Sequence, residues 1–268
     1  MPIRFTSFLG DNALEFYRDI VYYLAGMTGL ETDFVTDRST SEREAMVKQQ
    51  EIQVVFTCGL PYTFKADIVP PQLRVMAAPV MAAARYQDQA VYFSDVIVRS
   101  ESPYDSFADL SGKSFAFNET RSFSGYVAVC RHLLQMGQTE SFFGEWLKSG
   151  AHAMSMDWVE QARVEAAAID SVVLEMELDQ HPERSGRFRV VERIGPYPMP
   201  PVAAVSGLPE PIYQKLKTAL LAMHHTERGQ KILQQAQVQR FRGMTDRDYD
   251  PIRRVVQDLE LTGRSVRL

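Results

Sequence analysis

Short apolar runs, too brief for helices, alternate along this chain with longer stretches of helical spacing, and that alternation most constrains its fold. Ile3 to Phe8, Glu31 to Thr36, Ile52 to Thr57, Val75 to Met81, Ser114 to Phe117, Ala166 to Ile169 and Val202 to Val205 read as strands. Between them, Ala13 to Thr28 places Leu14, Tyr17, Ile20, Val21 and Leu24 on one helical face, and Gly29 stops it. Ser41 to Gln49, Ser124 to Met136, Asp157 to Arg163 and Val172 to Leu178 read as further helices, and so does the stretch near Glu140 to Lys148. This order predicts an α/β chain with parallel sheets covered on both faces.

Two segments break the rhythm. Gln89 to Arg99 is a long extended stretch, and Gly195 to Pro201 is rich in proline and breaks regular structure after a strand at Phe188 to Ile194. With crossings around Ala84 to Asp95 and Gly195 to Pro201, the chain divides into two Rossmann-like lobes, one of 1–85 plus 200–268 and one of 86–199. After Val205 everything reads as helix, at Pro209 to His224, Glu227 to Gln235 and Asp246 to Leu261. Open α/β sheets bind ligands beyond the carboxyl ends of their strands, so the loops there, facing an interlobe cleft, are expected to carry the site.

Charge narrows the function classes. The 268 residues carry 29 basic and 34 acidic groups, a net charge of −5, with no dense basic run, which argues against nucleic acid as a partner. An anion bound here has to be held by local geometry rather than by the field of the whole chain. Cys58 and Cys130 lack metal-type spacing and read as free thiols, with a disulfide left open. No apolar run approaches the roughly 20 residues of a membrane helix, so no membrane insertion is expected. Met1-Pro2 leads directly into a strand. The expected location is the periplasm if a signal peptide has been removed, and otherwise the cytoplasm. There is no G-x-S-x-G elbow, P-loop or H-E-x-x-H, so neither catalytic residues nor a cofactor is expected.

The segment richest in chemistry is Lys113 to Gly125. A buried strand runs into a polar loop and then into a helix that starts at Ser122-Phe123-Ser124-Gly125. A helix start offers unpaired N–H groups and a partial positive charge. Ser122 and Ser124 add hydroxyls, Gly125 permits close backbone approach, and Arg121 adds a charge beside them. The competing reading is an ordinary serine N-cap. His152 falls where a strand would begin, as an anion donor or a packed histidine. Asp170 ends an alanine-rich strand, to bind a ligand amine or to cap a helix. Tyr62, after Thr57-Cys58-Gly59-Leu60-Pro61, and Tyr92, on the first crossing, are either cleft phenols or core residues.

Taken in order, these segments resemble the phosphate/phosphonate-binding proteins of bacterial ABC importers, over roughly Ile3 to Leu220. The resemblance rests on Asp109-Leu110-Ser111-Gly112-Lys113, Ser122 to Gly125, Ser149 to His152, Ala166 to Ser171 and Tyr92-Phe93-Ser94. It implies a type II periplasmic-binding fold whose two lobes close on a small phosphonate- or phosphate-like anion. The Ser122 and Ser124 hydroxyls and the N–H groups after them would hold the anion's oxygens, with His152 and the tyrosines completing the shell. It further implies a monomer with an ABC permease as partner. Phe123 stands where the family motif has threonine, Glu165 replaces a usual glycine-x-aspartate-like segment, and Arg121 adds a charge. An enzyme on the same fold, acting on a small heterocyclic or phosphorylated substrate through Cys58 or His152, and a cytoplasmic ligand sensor are the alternative functions.

Overall fold

The computed structural model describes residues 2–264 and 266. The chain divides into two compact units, Met1–Val91 with Pro198–Asp250, and Tyr92–Tyr197 with Pro251–Leu268.

The first unit opens with β1 (Ile3–Ser7), α1 (Leu14–Thr28), β2 (Thr32–Phe34), α2 (Thr40–Lys48), β3 (Val54–Phe56), α3 (Gly59–Asp67) and β4 (Leu73–Met81). The second holds β5 (Val91–Arg99), β6 (Ser114–Phe117), α4 (Ala128–Gln135), β7 (Glu145–Lys148), α5 (His152–Glu160), β8 (Ala166–Asp170), α6 (Ser171–Gln180) and β9 (Phe188–Pro198). The chain then supplies β10 (Val202–Val205), α7 (Glu210–Leu221), α8 (Glu227–Gln235) and β11 (Val238–Gly243) to the first unit, and α9 (Asp250–Glu260) ends the described helices. Each unit has one sheet, ordered β11-β4-β10-β3-β1-β2 in the first and β7-β6-β8-β5-β9 in the second.

Local chemistry sets most of these boundaries. α1 buries Phe16, Ile20, Val21 and Leu24 on one stripe. It stops where Gly29 takes a left-handed φ of 66° and its N–H returns to the Ala25 carbonyl. α2 starts from a capping box: the Ser39 hydroxyl accepts from Glu42 N–H, and the Glu42 carboxylate accepts from Ser39 N–H. β8 is small and apolar because it is covered on both faces. Ala166, Ala167, Ala168 and Ile169 are fully buried, with Ala167 and Ile169 in a cluster with Ile97, Met156, Val159 and Leu174.

Several expectations need correction. Both sheets are mixed rather than parallel: β1 pairs parallel with β2 and β3, but β10 runs antiparallel to β3 and β4, and β11 to β4. In the second sheet β6 is parallel to β7 and β8, while β5 is antiparallel to β8. β5 itself carries the chain into the second unit, and β10 is the first strand after its return, so no strand-helix-strand crossover dictates their direction. Glu145 to Lys148 is a strand, not a helix, because it pairs residue for residue with Ser114 to Phe117. β9 continues through Gly195-Pro196-Tyr197 to Pro198, where irregular structure was expected. Val238 to Gly243 is a strand whose polar outward residues hide its pairing with β4.

The boundaries of the units also depart from the expected lobes. Residues 86–91 and 198–199 fall with the first unit, and 251–268 with the second instead of the first. α9 buries Ile252, Val255 and Leu259, and its Asp258 ties it to the second unit by accepting from Arg131 Nε and Nη2 of α4 at 3.1 and 2.9 Å.

Candidate functional site

In the second unit, parallel strands β7, β6 and β8 lie side by side, and each runs directly into a helical segment. Their shared direction puts the starts of those segments at one edge of the sheet, where N–H groups and the positive ends of the peptide dipoles gather. β6 leads to the Phe123–Val127 turn and α4, β7 to α5, and β8 to α6.

The Phe123–Val127 turn is wound as a π-helix, with Val127 N–H reaching the Ser122 carbonyl. Ser122 is its N-cap: Oγ accepts from Gly125 N–H at 3.1 Å. Among the described residues that hydroxyl has no acceptor for its own proton. Ser124 is buried, and its Oγ lies 3.5 Å from His152 Nε2. Its carbonyl accepts from Ser94 Oγ of β5 at 2.6 Å, which pins the turn to the sheet. A side chain at Gly125 would force Asn118 to move, because a Cβ would stand 1.9 Å from Asn118 Oδ1.

His152 opens α5 rather than a strand, with Ala151 as N-cap. Its loop is fixed by Ser149 N–H to the Phe117 carbonyl, Gly150 N–H to the Asn118 carbonyl, and Ser149 Oγ against Ser155 Oγ at 2.6 Å. Burial pushes the imidazole pKa down to about 4, opposed in part by the Ala168 carbonyl. At neutral pH the ring is therefore uncharged, and its buried Nδ1 lacks a well-formed hydrogen bond.

Asp170 is the N-cap of α6, its Oδ1 accepting from Val172 and Val173 N–H at 2.8 and 3.4 Å. Burial raises its pKa to about 7 against those two bonds, and Asp95 and Glu175 push it the same way. It pairs across the sheet with Ser94. Glu119, the carboxylate in the loop before the turn, is held by Lys148 Nζ at 2.6 Å, which offsets its repulsion of an anion.

The structure thus gathers Ser122, Ser124, Gly125, His152 and Asp170 at one sheet edge. Phe123 is in the same turn, but its ring is fully buried, edge to face on Tyr197 with centroids 4.6 Å apart. Arg121 is exposed beside the turn. Tyr92 is fully buried near the start of β5. Tyr62 lies in α3 of the first unit, where its hydroxyl donates to Asp246 Oδ1 at 2.8 Å and its ring packs on Tyr249. Asn118 and Ser94 stand in segments that the sequence marks, but neither is expected there as a residue of the site. An asparagine immediately after a buried strand was a legible signal, whereas the contact of Ser94 with the turn depends on strand pairing. Among the described residues, Cys58 and Cys130 form no disulfide. Among the described residues no cluster of His, Cys, Asp and Glu is arranged to hold a metal, and no helix is long and apolar enough to cross a membrane.

Comparison with solved structures identifies the fold. A binding protein component of an ABC phosphonate transporter from Pseudomonas aeruginosa superposes with a TM-score of 0.81 at 16% identity, over 97% of this chain and 88% of that one. The PhnD1 protein of Prochlorococcus marinus, solved with methylphosphonate, gives 0.81 at 17% identity over 96% and 98%. A Xanthomonas citri protein solved with ATP gives 0.74 at 14% identity over 99% of each chain. These are proteins of the type II periplasmic-binding fold. No curated protein sequence matches this chain. The family model described as ABC transporter, phosphonate, periplasmic substrate-binding protein matches residues 5–249. With that match over nearly the whole chain, the protein belongs to the family of periplasmic phosphonate-binding proteins that serve ABC transporters.

Proposed function

We propose that this solute-binding protein captures a tetrahedral phosphonate-type anion at the Ser122–Gly125 turn. The observation that carries the reading is the uncommitted Ser122 hydroxyl beside the Ser124–His152 contact, at an edge where the starts of three helical segments meet. The Ser122 and Ser124 hydroxyls donate to the anion's oxygens, and the N–H groups of the turn add to them. Neutral His152 has a single ring N–H, and carried on Nε2 it donates to Ser124 Oγ, which leaves the Ser124 proton for the anion. The site thereby holds an anion in a chain of net charge −5 without a buried cation of its own. Asp170, near half ionised at neutral pH, repels a bound anion less than a full carboxylate would.

Calorimetry with methylphosphonate, phosphite, inorganic phosphate and ATP tests this. Saturable heat with methylphosphonate, weakened by Ser124→Ala, is expected. Heat with ATP and none with the three small anions would overturn it in favour of a nucleotide ligand. We further propose that the protein works in the periplasm and delivers its ligand to an ABC permease, in line with its family. Fractionation of cells that carry the gene, followed by co-purification with the permease, checks both points.

A further inference from the structure

The second unit has an open cavity of about 420 Å³, walled by α4, the end of β9 and α9. That volume lies in the range of small-ligand sites. Three guanidinium groups line it from three different elements: Arg131, Arg193 and Arg254. They are not equally free. Arg131 is bound twice to Asp258, which also lines the cavity. Arg193 is more than half exposed and reaches only a buried carboxylate, Asp95, at 3.9 Å. Arg254 is exposed and makes no ion pair or hydrogen bond within the described residues. Glu192 lies 4.0 Å from His132, which also lines the cavity. The nearby acids therefore engage Arg131 closely, Arg193 loosely and Arg254 not at all. Tyr197 adds a flat, half-buried ring to the wall.

We infer that this cavity is a second anion site, taking a small phosphoryl-bearing polyanion between Arg193 and Arg254 with its less polar part against Tyr197. Guanidinium forks on separate elements suit phosphate oxygens spread over two groups. Arg131, oriented by Asp258, closes the back of the site. The site shares Tyr197 with the packing of Phe123 but uses none of the hydroxyls of the Ser122–Gly125 turn.

Pyrophosphate titrated by calorimetry into three proteins separates the two sites. In Ser122→Ala/Ser124→Ala a pyrophosphate-binding event should survive. In Arg193→Gln/Arg254→Gln that event should weaken by roughly 10-fold to 100-fold, the loss expected for charge-assisted bonds to phosphate. Arg38→Gln/Arg187→Gln removes the same charge from other exposed positions and should leave it within about threefold. Survival in the Arg193/Arg254 variant, equal weakening in the Arg38/Arg187 control, or loss of all pyrophosphate binding with the two serines would overturn the inference. Methylphosphonate binding in the Arg193/Arg254 variant reports on the serine turn separately, so failure of one site does not hide the state of the other.

Discussion

Ser39 in the first unit and Ser122 in the second have the same residue type and the same local job, yet their chemistry differs. Both cap a helical segment by accepting a hydrogen bond from the N–H three residues on. At Ser39 that third residue is Glu42, whose carboxylate takes the Ser39 N–H and also lies 2.6 Å from its hydroxyl. The cap is closed upon itself. Ser106 with Asp109 and Thr245 with Asp248 are closed in the same way. At Ser122 the third residue is Gly125, so no carboxylate returns, and the hydroxyl proton and nearby N–H groups stay available. A cap becomes a candidate binding site when the residue that would finish it is missing.

The largest effect should come from finishing the Ser122 cap. Gly125→Glu supplies the carboxylate of a capping box and puts its charge where the anion would sit, while its Cβ meets Asn118. Methylphosphonate binding measured by calorimetry should fall by more than about 1,000-fold, with a loss of stability of a few kcal/mol. Binding that survives this change would break the comparison.

Removing single donors should cost less. Ser124→Ala is expected to weaken binding roughly 10-fold to 100-fold, because one hydrogen bond to a charged ligand is lost. Ser122→Ala should lower both affinity, by about 10-fold, and folding stability, by about 1 kcal/mol, since this hydroxyl is a cap and the proposed donor to the anion. Ser39→Ala should lower stability by about the same 1 kcal/mol in a denaturant melt and leave affinity unchanged. A matched loss of affinity in Ser39→Ala would show that ligand binding merely follows stability.

Asp170 offers a finer contrast, visible in pH. Its folded pKa of about 7 lies above the usual aspartate value, so the folded state holds a proton that the unfolded chain has released. Stability from this group is complete below about pH 4 and is lost as pH rises through 7. The loss should reach roughly 2 kcal/mol, about half the full linkage, because the residue keeps some contact with solvent. Asp170→Asn keeps a capping oxygen and should flatten the dependence of melting temperature on pH between 5 and 8 relative to the native protein. An unchanged slope would remove Asp170 as its source.

Much of the frame was legible because it follows from local rules. The apolar stripe of α1 and its stop at Gly29, the small residues of β8, and the Ser122 helix start are all written in short windows of sequence. Other elements were not legible. Glu145 to Lys148 became a strand through its partner in β6, and Val238 to Gly243 through β4. In both cases the pairing lies in residues distant along the chain.

The site divides in the same way. Residue types and their order alone showed which groups could meet an anion: two hydroxyls and a glycine at a helix start, and a histidine expected at the start of a strand. Tertiary structure alone decided that His152 opens a helix, that Ser124 Oγ stands 3.5 Å from its ring, and that burial holds that ring neutral. It also turned Phe123 inward onto Tyr197 and engaged the Tyr62 hydroxyl with Asp246. Residue type and spacing fix what a side chain can donate or accept. Burial and the partners brought by distant strands fix whether that capacity is used internally or left for a ligand.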